Sequence, residues 1–153
     1  MIEERFEIGS LKDESADLIA RLVPSERAFG WRRRSLLVPA GWMLLATRDR
    51  RDPLLVLAGG QYEHEDTRDL LFVRDAPTSC SVDAADLRSA DGHPCRGRLE
   101  IAVRVPADAA ELAAFRRTIV HSSNVVRRAD LLRYVQADLR RVLVELAAER
   151  TAA

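Results

Sequence analysis

The stretch SADGHPCRGRLEIAVRV, residues 89–105, decides the fold. Asp91-Gly92 is the dipeptide that best tolerates the positive backbone angles of a tight turn, so it predicts a chain reversal. Beyond it, Leu99, Ile101, Val103 and Val105 alternate with Arg98, Glu100, Ala102 and Arg104. A period of two is the pattern of a strand with one buried face. The arms 79–89 and 94–105 therefore read as an antiparallel hairpin, closed by Pro106-Ala107-Asp108. The same stretch sets Asp91, His93 and Cys95 within five positions, which raises the question of a reactive site.

Downstream, Leu112, Phe115 and Ile119 form the apolar stripe of a helix that breaks at His121-Ser122-Ser123-Asn124. A last helix is predicted over roughly 126–150, with Leu131, Val135, Leu139, Val142 and Leu146 at four- and three-residue steps. The seven-residue spacing Leu132, Leu139, Leu146 suits packing across the domain's own sheet, and on the functional side a self-association seam. Upstream, Leu11, Leu18, Ile19 and Leu22 stand at helical spacing before Pro24, predicting a short amphipathic helix over 11–23. Residues 36–47 read as a strand pair, or a strand kinked at Pro39-Ala40-Gly41. Further strands are expected at Leu54–Leu57 and Leu70–Val73, separated by the Gly59-Gly60 break.

At 153 residues the chain fits one domain that can bury a core without disulfides or metal. Its segments are read as an N-terminal helical piece (1–30), a sheet with one helix (31–125), and a C-terminal helix (126–153) belonging to the same domain. The 24 basic and 24 acidic side chains cancel, so no global field draws the chain to nucleic acid. Only Lys12 among the basic residues is a lysine, an arginine bias that reads as coding composition before recognition chemistry. The apolar runs fall short of the roughly 18–20 residues that cross a bilayer, and the start MIEERFEIGS lacks a signal-peptide core. A cytoplasmic protein with reduced thiols, peripheral at most to the inner membrane, is the expectation.

Candidate chemistry is sparse. Cys80, Cys95, His64, His93 and His121 offer no CxxC or HxxxH pair, so metal binding lacks its ligand spacing. Pro94-Cys95 is not followed by the second cysteine of a nucleoside deaminase, and His64-Glu65 sets its glutamate one place too early. A Cys95 nucleophile based on His93 has Pro94 between the two at a turn, and no helix N-terminus nearby to supply oxyanion donors. With the turn at Asp91-Gly92, Cys95 falls opposite about Arg88 and Cys80 some 26 Å further at about 3.3 Å per residue, too far for a disulfide. Loop acids Glu63, Glu65, Asp66 and Asp69 could supply paired carboxylates, but acids between strands are usually just solvated. The densest basic patch, Trp31-Arg32-Arg33-Arg34, pairs three guanidiniums with an amphipathic aromatic, which suits anionic lipid head groups. No cofactor is called for.

The order of motifs resembles the stomatin/prohibitin/flotillin (SPFH, or band 7) domain, nearest its bacterial slipin branch. Leu37-Val38-Pro39-Ala40-Gly41, then Thr47-Arg48-Asp49, then Val56-Leu57-Ala58-Gly59-Gly60-Gln61-Tyr62 resemble that family's "V-P-x-G" strand, "R-D-G" turn and "V-L-x-P-G-x-Y/H" element. Ser89-Ala90-Asp91-Gly92 and Ala102-Val103-Arg104-Val105 echo its "T-x-D-G" turn and "Y-R-V" strand end. The resemblance covers about residues 36–145. It departs at Arg50 and Asp52-Pro53, at Gly59 in place of a proline, and in lacking the apolar N-terminal span, for which the first helix and Trp31–Arg34 are the expected substitutes. The resemblance implies an α+β fold, a curved and mostly antiparallel sheet with helices packed along it and a long C-terminal helix. It implies a non-enzymatic scaffold that homo-oligomerises at a membrane surface and regulates partner membrane proteins or proteases, with no catalytic residue. The alternatives are a small metal- or cysteine-dependent enzyme using His93 and Cys95, and a peripheral lipid-binding module.

Overall fold

A computed structural model of the chain describes residues 6–12, 14–29, 33–120 and 123–151. It is α+β, with antiparallel sheets, and divides into two compact units. Unit 1 comprises residues 1–77 and 104–127, and unit 2 comprises 78–103 and 128–153. These units cut across the three segments expected from the sequence, because the hairpin of residues 78–103 forms a sheet of its own and takes the last helix as its partner.

Unit 1 is built on a five-stranded antiparallel sheet. Its strands are β1 (Leu18–Pro24), β3 (Trp42–Arg48), β4 (Leu54–Val56), β6 (Thr67–Arg74) and β9 (Val125–Arg127). They lie in the order β4-β3-β6-β1-β9. Both faces are covered. Leu18, Leu44, Leu70 and Phe72 face one core with Phe6, Leu11 and Phe29. Ile19, Met43, Leu45 and Leu71 face the other, where α2 (Ala109–Thr118) lays down Leu112 and Phe115. Asp108 caps α2, its carboxylate accepting from the Ala110 and Glu111 amides at 2.9 and 3.0 Å. A two-stranded pair, β2 (Ser35–Leu37) with β5 (Gln61–Glu63), and the short α1 (Ser25–Phe29) complete the unit.

The predicted helix over 11–23 is corrected to a short 3-10 turn at Ile8–Lys12 followed by β1. Leu18, Ile19 and Ala20 are all buried, because β1 sits between β6 and β9 with a core on each face. A strand buried on both sides has no alternation to display, and its apolar run mimics helical spacing by chance. The kinked stretch at 36–47 is two strands in different sheets, divided at Gly41, whose φ of 82° needs a residue without Cβ.

Unit 2 is the hairpin β7 (Thr78–Arg88) and β8 (Pro94–Val103) with α3 (Arg128–Ala148) packed on it. Only Gly92 takes a positive φ at the hairpin tip, 81°, so the reversal is a three-residue turn, Ala90 to Gly92, and not the two-residue type expected at Asp91-Gly92. The Ser89 amide donates to the His93 carbonyl across it, and the Gly92 amide to the Ser89 carbonyl. Cys95 consequently pairs with Leu87, and a bulge between Ala84 and Leu87 shifts the rest, so Cys80 lies opposite Ile101. The last helix begins at Arg128 and not near 126, because Val125–Arg127 pairs with β1 first.

Gly97 sits where α3 crosses the hairpin. A Cβ there would lie 2.8 Å from Leu87 Cδ1 and 3.1 Å from Leu143 Cδ1. Gly97→Val is expected to destabilise the protein by about 1–3 kcal/mol through overpacking, measured by chemical denaturation, with the helix–hairpin contact loosened first.

Candidate functional site

Two surfaces carry the residues singled out in the sequence, one in each unit. In unit 1, Trp31 and Arg32 lie outside the described residues, whereas Arg33 and Arg34 are exposed at the entry to β2. Their backbone is held: the Arg33 amide donates to the Phe29 carbonyl at 3.3 Å, and the Arg34 carbonyl accepts from the His64 amide at 2.7 Å. The His64 ring stacks on Phe29, centroids 4.5 Å apart and planes within 16°, so it acts as a lid on an aromatic and not as a ligand.

Beside them lies a groove of about 870 Å³ lined by Ile8, Lys12, Arg33, Leu37, Pro39 and Ala58, among others. The described lining residues include two cations and no carboxylate. Leu37 lines it and is 63% exposed, and Leu57, next in the chain to the lining residue Ala58, is 53% exposed. Both exposed leucines are set by turn chemistry. Gly59 has φ 79°, its amide donates to the Val38 carbonyl at 2.9 Å, and the Val38 amide donates to the Gly60 carbonyl at 2.9 Å. That exchange pins the 57–60 turn to the end of β2, so both leucines stand in water, Leu37 in the same groove as Lys12 and Arg33. The sequence patch reads as guanidiniums around Trp31. The exposed leucines escape that reading, because Leu37 and Leu57 look like ordinary strand residues until the turn points them outward.

In unit 2, the helix stripe is only partly available. Leu132 and Leu139 pack against Val82, Leu87 and Leu99 of the hairpin, and Leu139 is 8% exposed. Leu146, at 40%, stands over an opening of about 380 Å³ near Leu87 and Gly97. The three residues of the expected self-association seam are thereby placed differently: Leu139 is core of this unit, Leu132 is partly buried against that core, and Leu146 is exposed.

The hairpin tip holds His93 and Cys95, yet the geometry is that of a turn. Ser89 Oγ donates to the Asp91 carboxylate and accepts from the His93 amide at 3.1 Å. His93 Nε2 lies 3.8 Å from Asp91 with its side chain mostly in solvent. Cys95 is half-buried against the unit 2 core, and His64 belongs to unit 1. Among the described residues no group of three or more His, Cys, Asp or Glu could hold a metal ion; His121 lies outside them. The two cysteines are free. From Ile101, the partner of Cys80, to Cys95 is six residues along β8, roughly 20 Å, so no disulfide joins them.

Burial pushes the Cys80 thiol up, opposed in part by the Arg128 guanidinium. A thiol held protonated is a poor nucleophile, so alkylation at pH 8 is expected to modify Cys95 at least about tenfold faster than Cys80. Mass-mapped iodoacetamide labelling reads this directly, and equal rates would mean that unit 2 opens readily.

Of the four acids singled out at 63–69, Glu63 and Asp66 are exposed and the other two are paired. Glu65 bonds Arg51 at 2.9 Å, and Asp69 bonds Arg116 at 2.6 Å. No helix among the described residues is long and apolar enough to cross a membrane. Comparisons of the chain with protein-family models, with curated proteins and with solved structures return no match.

Proposed function

We propose that the chain is a non-enzymatic SPFH-type scaffold module that self-associates and rests on an anionic membrane surface. The observation that carries this reading is where the resembling residues fall. Gly41 ends the "V-P-x-G" segment at φ 82°, and Gly92 sits in the "D-G" turn at φ 81°. Both of these motif glycines occupy turn conformations that a residue with a Cβ rarely adopts, and they come in the order in which the resemblance sets them.

The groove in unit 1 supplies the membrane-facing half of the proposal. Cations at Lys12 and Arg33 attract anionic head groups, and each is worth about 1 kcal/mol near such a surface. Exposed Leu37 adds apolar area in the same groove. Co-sedimentation with vesicles containing phosphatidylglycerol is expected to weaken roughly fivefold for each of Lys12→Ala, Arg33→Ala and Arg34→Ala, and to fall with salt. Equal binding to neutral and anionic vesicles, or none to either, removes the membrane half of the reading. Mass photometry at rising concentration tests the other half, with larger species expected as concentration rises.

A further inference from the structure

With Leu132 and Leu139 committed to the hairpin, the opposite side of α3 becomes informative. At about 100° per residue, Tyr134, Ala137, Arg141, Val144 and Ala148 fall in one stripe facing away from the buried residues. All five are exposed, Tyr134 and Val144 at 55% each. Their spacing is three, four, three, four, the alternation of the a and d positions of a heptad. The buried set Leu131, Leu139 and Leu143 does not compete for it.

The flanks of this stripe carry opposite charges. Arg133 and Arg140 precede the core positions on one side, where a heptad has its g residues. Asp138 and Glu145 follow on the other, at e. In a parallel pair of helices, g of one chain meets e of the next heptad in its neighbour, five residues on. Arg133 then meets Asp138 of a second copy, and Arg140 meets Glu145. An antiparallel pair would instead set arginine against arginine and acid against acid, a repulsion that selects against that orientation.

We infer that the outer stripe of α3 is the surface by which a second copy of this chain docks, with the two α3 helices parallel and in register. The inference rests on the self-association half of the proposal above and names its site. Arg141, at a central a position and bonded to Asp138 at 3.3 Å, weakens the contact while fixing its register. Two heptads with alanine at two of five core positions make a weak contact. Association should therefore be reversible and reinforced by repetition along an assembly.

Charge reversal tests this in the full chain. The double variant Arg133→Glu/Arg140→Glu, and separately Asp138→Arg/Glu145→Arg, should each raise the dissociation constant of self-association by roughly tenfold or more in sedimentation velocity. Mixing the two should restore association between unlike chains. These residues are exposed, so far-ultraviolet circular dichroism should remain unchanged. A cross-link decides the orientation: Ala137→Cys in a Cys95→Ser background should oxidise to a covalent homodimer, since parallel d positions lie within disulfide reach. Cross-links that form only when Ala137→Cys and Ala148→Cys chains are mixed would overturn the parallel arrangement, since antiparallel core layers set a d position opposite an a position. Assembly that persists unchanged in both charge variants, with no covalent dimer of the Ala137→Cys chain, overturns the site while leaving the scaffold reading intact. A chain monomeric at tens of micromolar overturns both.

Discussion

Leu139→Ala is expected to cost about 2–4 kcal/mol of stability, while Leu146→Ala, seven residues on, costs about 1 kcal/mol or less. The two leucines share a heptad position in the sequence, so a seam made of both would respond alike. In the fold they do not match. Leu139 is 8% exposed and packs against the hairpin, whereas Leu146 is 40% exposed over an opening. Deleting the Leu139 side chain loses its transfer energy and leaves a void between α3 and the hairpin, which contribute nearly all of unit 2's core. The loss should appear as a lower midpoint in urea with the self-association constant unaltered at concentrations where the variant is folded. A result in which Leu139→Ala changes assembly and not stability would return the seam to Leu132, Leu139 and Leu146.

The contrast shows which parts of the fold are legible in the residues. The β8 strand is, because one of its faces is wetter than the other and Arg98, Glu100 and Ala102 say so in alternation. Asp91-Gly92 marks the hairpin, although the extra residue of its turn and the bulge at Ala84–Leu87 leave no composition signal. The strand β1 is not legible, since Leu18 faces one core and Ile19 the other, and a doubly buried run has no period. β5 and β9 are three residues each, too short for any pattern to accumulate, and β9 merges in the sequence with the helix that follows it. For the candidate surfaces, the charge in Arg33 and Arg34 can be read directly, but the exposure of Leu37 and Leu57 depends on the tertiary exchange between Val38 and the Gly59-Gly60 turn. The outer stripe of α3 is present in the sequence too. It is hidden there by the stronger leucine stripe, and only packing reveals which of the two is already used.

Arg116→Ala is expected to destabilise the protein by about 2–3 kcal/mol, below the 3–5 kcal/mol typical of a fully buried pair because Arg116 remains partly wet. Asp69 lies on β6 on the face covered by α2, with its side chain 13% exposed, and Arg116 reaches it from the last turn of that helix at 2.6 Å, 28% exposed. Arg68 approaches the same carboxylate only to 3.7 Å and from a largely solvated position. Neither Asp69 Oδ1 nor Arg116 Nε has a hydrogen-bond partner within the structure. The pair is therefore single-bonded where a fork could make two, and its value lies in cancelling a charge that the sheet has already taken from water. Removing the arginine leaves that charge with one distant counter-ion. Removing both charges, as Asp69→Leu with Arg116→Leu, deletes the desolvation cost along with the attraction, so the double variant should be more stable than Arg116→Ala alone. A double-mutant cycle built from chemical denaturation measures the coupling, expected between about 1 and 3 kcal/mol. Coupling near zero would mean that α2 is held on the sheet by Leu112 and Phe115 alone, and that the ion pair only marks where the helix happens to end.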